Sequence, residues 1–263
     1  MFPPERIVCL TAETVETLYL LGAEARIAGI TGFAQRPPQA RRAKPIIGAF
    51  TSADLDAICA LEPDLVLGFS DLQAEIAAAL VRRGVTVHVF NQRSLAGILE
   101  MIASLGALVA ASEPAAALVA SLKDRIAEAE ARAARRHKRP RVYFEEWDEP
   151  MICGIGWISE LIALAGGIDI FAERAQAGAA AARIVGREEI IGGAPEIILA
   201  SWCGKKFRPA ALAARPGFAS VPAVRAGALH EIAAPIVLQP GPAVLTAGLA
   251  EFERLIEAAA GDQ

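Results

Sequence analysis

Residues 55–70 read LDAICALEPDLVLGFS, and residues 187–202 read REEIIGGAPEIILASW. In both, a helical pattern leads to a proline, an acid and an apolar strand-like run, so Pro63-Asp64 and Pro195-Glu196 mark the same point. The correspondence extends outward. ETLYLLGAEARIAGI from Glu16 matches SELIALAGGIDIFA from Ser159, and Arg6-Ile-Val-Cys-Leu10 matches Arg141-Val-Tyr-Phe-Glu145. Arg6 and Pro63 stand 57 positions apart, Arg141 and Pro195 stand 54. Equal order at near-equal spacing implies two lobes of one fold. Alternating apolar runs and helical patterns argue for α/β lobes with mainly parallel sheets.

In the first half the expected strands are Arg6–Leu10, Ile27–Ile30, Leu65–Gly68 and Val85–Phe90, with helices near Thr14–Leu21, Ala53–Leu61, Leu72–Arg83 and Leu95–Ala110. Thr11, Ser52 and Ser94 stand where a hydroxyl can accept an orphan helical N–H. Gly84 stands at a helix C′ position. From Glu113 to about Arg136 the chain has no Gly and a single Pro, Pro114, in the first turn where a missing N–H costs nothing. Leu118, Leu122 and Ile126 form one stripe. At 1.5 Å per residue this helix spans about 36 Å, the width of a domain. The expected organisation is therefore an N-terminal Rossmann-like lobe over residues 1–111, one long connecting α-helix over 112–137, and a C-terminal lobe of similar fold over 138–263.

Composition narrows the function. The chain has 263 residues, 54% hydrophobic and 21% charged, with a formal net charge of −4. A large core is expected, and no basic stripe invites nucleic acid. No run of about 18 uncharged apolar residues occurs, so no membrane insertion is expected. Cys9, Cys59, Cys153 and Cys203 form no CxxC pair and match no zinc spacing. There is no nucleophile elbow, phosphate loop or GxGxxG after the first strand. No catalytic residue and no catalytic cofactor are expected.

In open α/β sheets ligands bind beyond the carboxyl ends of strands, and two such lobes would share a cleft there. After Ile30 comes TGFAQRPPQARRAKPIIGAFTS, where Phe33, Arg36 and Phe50 are candidate contacts; packing aromatics in a surface loop is the alternative. After Phe144 comes EEWDEPMICGIGW, with Glu146, Trp147 and Trp157. After Ser201 comes WCGKKFRP, with Trp202 and Cys203. All three tryptophans fall near strand ends of the second half. Glu145, Glu146, Asp148 and Glu149 offer oxygen to a hard cation, but strand alternation splits them between faces. Cys153 and Cys203 are alternative metal contacts. His88 and His230 sit within strands and suit walls better than ligand sets.

These segments, from RIVCLTAETVETLYLLGAEARIAGITGF with RPPQA to GWISELIALAGGIDIF and REEIIGGAPEIILAS, resemble the class III substrate-binding proteins of ABC importers. That group handles cobalamin, ferric siderophores and haem. From Arg6 to about Leu255 the chain is most similar to its BtuF-type cobalamin-binding members. The resemblance implies non-enzymatic binding of a corrinoid between two lobes, with an ABC importer permease as partner. Phe33–Arg36 and Phe50 fall where that family offers aromatics to the corrin, and Trp202 and the Gln239-Pro240-Gly241 loop on the lobe-two side. Glu75 falls at the lobe-one importer-docking acid, while the matching lobe-two segment, GKKFRP, is basic. A corrin, flat and edged with amides, suits aromatic walls. A ferric siderophore, haem or another metal chelate is the alternative, for which Arg36, Lys205, Lys206 and Arg208 would serve; a metal-dependent enzyme ranks below both. With a strand starting five residues after Met1, no export segment is expected. A cytoplasmic carrier follows, or a periplasmic one if a leader has been removed.

Overall fold

The computed structural model describes residues 2–261. The chain divides into two compact α/β units. The first holds the chain through Gln92, together with Ala96–Lys123 and Gln239–Ala243; the second holds Arg93–Leu95, Asp124–Leu238 and the chain from Val244 onward. In the first unit, β1 (Ile7–Cys9), β2 (Ile27–Ile30), β3 (Leu65–Phe69) and β4 (Val87–Phe90) form a parallel sheet in the order β2-β1-β3-β4. β1 and β3 are buried on both faces, which suits their unbroken apolar sequence. In the second unit, β5 (Arg141–Asp148), β6 (Met151–Cys153), β7 (Ile168–Asp169), β8 (Ile197–Ala200) and β9 (Leu229–Glu231) are ordered β6-β5-β8-β9, with β7 also paired to β5. β7 takes the place that β2 has in the first sheet, so the order β7-β5-β8-β9 repeats the first sheet.

The proline–acid mark has a physical explanation. The Asp64 carboxylate accepts the Glu5 and Arg6 backbone N–H groups at 2.7 and 3.0 Å. Glu196 accepts the Arg141 N–H at 3.0 Å. The arginines repeat as well: Arg6 donates through Nε to the Leu61 carbonyl at 2.9 Å, and Arg141 to that of Gly193 at 2.6 Å. Each arginine binds a carbonyl at the end of the helix before the next strand, so one device fixes strand start and helix end in both units.

The long helix runs over Ser112–Ala134, and the boundary between the units falls within it, after Lys123. Ala115, Leu122 and Ala129, seven apart, are its buried stripe. It is not the sole crossing, because Arg93–Leu95 and Gln239–Ala243 also change units. The sequence expectation differs from the structure at three further points. The chain after Phe144 is no loop: β5 continues to Asp148 and turns back as the antiparallel β6. Asp54, not Ser52, caps its helix, accepting the Asp56 and Ala57 N–H groups. The Thr11 hydroxyl accepts no helical N–H and instead meets the Thr14 hydroxyl at 3.1 Å.

Candidate functional site

In the first unit the long loop after β2 folds back beside its own strand. Ile30 and Ile47 are joined N–H to carbonyl at 3.0 Å, Gly32 donates to the Gly48 carbonyl at 2.8 Å, and Ile47 and Ala34 are buried. Two aromatic side chains of this loop are not fully buried. Phe33 is 42% exposed. Phe50 lies 6.5 Å, centroid to centroid, from Phe69 at the end of β3. The Arg36 Nε donates to Glu16 Oε1 at 2.8 Å, and Glu16 Oε2 accepts the Ala243 N–H at 3.1 Å. Arg36 is therefore neutralised in place.

Sequence reasoning missed the residue that holds this arrangement. Gln73, 1% exposed, donates to the Phe50 carbonyl at 2.7 Å and the Leu10 carbonyl at 3.3 Å, and accepts the Phe69 N–H at 2.9 Å. One amide thus ties the Phe50 loop to the ends of β1 and β3. Gln73→Ala is expected to lower stability by about 1–3 kcal/mol, because buried donors and acceptors lose their partner. Denaturant unfolding checks this, and a change below about 0.5 kcal/mol would place the bonds in solvent exchange.

In the second unit the strand alternation of β5 sorts the acids. Glu145 is fully buried and on the same face as Tyr143. Its carboxylate accepts Tyr143 Oη at 3.1 Å, Trp202 Nε1 at 3.0 Å, and Arg215 through Nη1 and Nη2 at 2.5 and 3.0 Å. Burial, and then the Glu145 charge, push the Tyr143 phenol well above its ordinary value, which keeps it a donor. Glu146 forms a two-bond pair with the buried Arg183 at 2.7 and 3.0 Å. Lys205 is paired with Asp148 and stacks over Trp147 at 4.2 Å and Trp202 at 5.2 Å.

These contacts correct several expectations. Trp202 is 3% exposed and packs edge-on to Phe207 within the apolar core of its unit, where a more open indole was expected. Trp157 is 4% exposed and donates to the Val237 carbonyl at 2.8 Å. Glu146, only partly exposed, is paired with Arg183. Gln239-Pro240-Gly241 belongs to the first unit, where Gln239 Nε2 donates to the Phe33 carbonyl at 3.1 Å. Trp147 is half-buried and Cys203 is exposed. Cys153 is buried, and burial pushes its thiol up to about 12, which disfavours a thiolate. Glu75 is exposed near the start of the helix Ala74–Arg82. Among the described residues no three His, Cys, Asp or Glu side chains gather as a metal set, and no helix is long and apolar enough to cross a membrane.

The structure also brings out an unread repeat. Phe33-Ala-Gln-Arg36 after β2 matches Phe171-Ala-Glu-Arg174 after β7, its positional counterpart. In the second unit this segment, with Asp169 and Ile170, lines a cavity of about 600 Å³. Arg174 lies 5.7 Å over the Phe171 ring and is paired with Glu189 at 2.7 and 3.1 Å.

The sequence model of a family described as periplasmic binding protein matches residues 7–235. A cobalamin-binding protein of Halobacterium salinarum is 31% identical over 173 residues, which are 65% of this chain and 47% of that protein, so the match spans about half of the relative. Two solved structures share the fold. The periplasmic heme-binding protein RhuT of Roseiflexus species RS-1, in apo form, superposes with a TM-score of 0.84 at 24% identity, covering 97% of this chain and 99% of that one. The periplasmic vitamin B12 binding protein BtuF of Vibrio cholerae gives 0.78 at 21% identity, covering 99% of each.

Proposed function

Because the chain belongs to the periplasmic binding protein family, we propose that it binds a corrinoid of the cobalamin type, reversibly and without covalent chemistry. It would act as a carrier or as the receptor of an ABC importer. The observation that carries this reading is electrostatic. Arg36, Lys205, Arg183, Arg215 and Arg174 are each paired with a carboxylate of their own unit, while Lys206 and Arg208, in the same loop as Lys205, are exposed and carry no ion pair among the described residues. A ferric catecholate, or haem with its propionates, needs cations free to receive charge. A corrin is edged with neutral amides and presents a broad face, which suits rim aromatics such as Phe33, Phe50, Trp147 and Phe171. The cobalamin-binding relative supports the same ligand class. For an importer partner, the exposed Glu75 supplies one docking charge, and on the second unit Asp148 already neutralises Lys205.

Phe33→Ala and Phe171→Ala are each expected to weaken cyanocobalamin binding by about 1–3 kcal/mol, as loss of an aromatic anchor does. Thermal midpoints should change little for Phe33, which is already 42% exposed. Calorimetric titration of both variants tests this; unchanged affinity in both would remove the aromatic rim from the site.

A further inference from the structure

Residues Gln239–Ala243 form a short strap on the first unit, flanked in sequence on both sides by residues of the second. It is fastened at three points: Gln239 Nε2 to the Phe33 carbonyl at 3.1 Å, Gln92 Nε2 to the Pro240 carbonyl at 2.8 Å, and the Ala243 N–H to Glu16 Oε2 at 3.1 Å. Between these points Gly241 lies directly against Glu13. A methyl group at Gly241 would come within 2.6 Å of Glu13 Cβ and 3.2 Å of its Cα, so the approach requires glycine. Beneath the strap are two buried polar groups with unused acceptors. Glu13 is 4% exposed and its Oε1 has no partner; Gln92 is 6% exposed and its Oε1 has none. Burying a carboxylate with an unmet oxygen is unfavourable, and the charge makes it more so.

We infer that Gln239–Ala243 is a latch that closes over Glu13 in its neutral form and is released when Glu13 ionises. The strap itself brings no titratable side chain. The groups facing Glu13 are Cys9 on β1, whose buried thiol is pushed up to about 12, and Glu16 one turn along the helix, which is shared between Arg36 and the strap; Lys44 acts on Cys9. Burial first, and the Glu16 charge in addition, raise the Glu13 carboxyl from 4.5 to about 7, while its own backbone N–H and the Thr11 side chain oppose the rise. The sign follows from linkage. The closed form binds the proton more tightly, so closure is fully favoured below about pH 4.5 and is lost as pH rises through about 7. Because the strap holds the Phe33 carbonyl, release also frees the rim loop after β2.

The test needs no ligand, so it stands or falls separately from the corrinoid reading. Backbone hydrogen exchange of the Gly241 and Ala243 amides is measured between pH 4.5 and 8.5 and corrected for intrinsic rate. Protection in the native chain should fall by up to about tenfold per pH unit up to about pH 7, then level off. Glu13→Gln, which keeps the shape and removes the charge, should hold the latch closed across the range. Gly241→Ala, which forces the strap off Glu13, should leave both amides unprotected at every pH. A flat profile in the native chain, or the same fall in Glu13→Gln, would overturn the latch.

Discussion

Glu145→Ala is expected to destabilise the protein by about 3–5 kcal/mol, the cost of removing one partner from a buried ion pair. The carboxylate is fully buried and receives four hydrogen bonds from three side chains. Its loss leaves the Arg215 guanidinium, the Tyr143 hydroxyl and the Trp202 N–H facing a cavity. Glu145→Gln keeps the volume and loses the charge, so it should fall between the native protein and Glu145→Ala. Urea unfolding of both variants measures the effect. A loss under 1 kcal/mol for Glu145→Ala would mean that water reaches Arg215 in solution and replaces the carboxylate.

Trp202→Ala is expected to cost about 3–5 kcal/mol of stability, in the range of large core truncations. The ring fills space between Glu145, Phe207 and the Lys205 ammonium. Measured at low temperature, where the variant remains folded, cyanocobalamin affinity should stay within about threefold, or under 0.7 kcal/mol. A variant of native stability with affinity weakened tenfold or more would put the indole in the ligand's path.

The repeated frame was legible in the sequence because its marks have local causes. The acid after each proline and the arginine opening each first strand are held by hydrogen bonds within one sheet edge, so they recur at matched spacing. The glycine-free run from Glu113 is a helix that both its propensity and its apolar stripe favour. The site was less legible because its residues are placed by contacts distant in sequence. Glu145 looked like one of four loop acids; only the pairing of β5 with β6 and β8 turns it inward. Trp202 stands at a strand end, where a ligand wall is expected, yet its indole N–H is taken by Glu145 and Phe207 packs edge-on against its ring. Gln239 was assigned to the second lobe by its position in the chain, and three hydrogen bonds around it bind that segment to the first unit. The Phe-Ala-Gln-Arg and Phe-Ala-Glu-Arg repeat escaped notice because six positions separate Ile27 from Phe33 but only three separate Ile168 from Phe171. Gln73 carries no such mark in the sequence: its burial, and the positive φ of Ser70 three residues before it, emerge only in the fold.

The central claim is that the paired cations leave a site for a neutral, amide-edged macrocycle. It is tested most directly by mixing the purified protein with cyanocobalamin, or in parallel with hemin, and passing each through a desalting column while recording absorbance. The account predicts that cyanocobalamin co-elutes with the protein in proportion to it, with a dissociation constant of about 1 μM or tighter, about −8 kcal/mol, and that hemin does not. Stoichiometric retention of hemin with no retention of cyanocobalamin would contradict it.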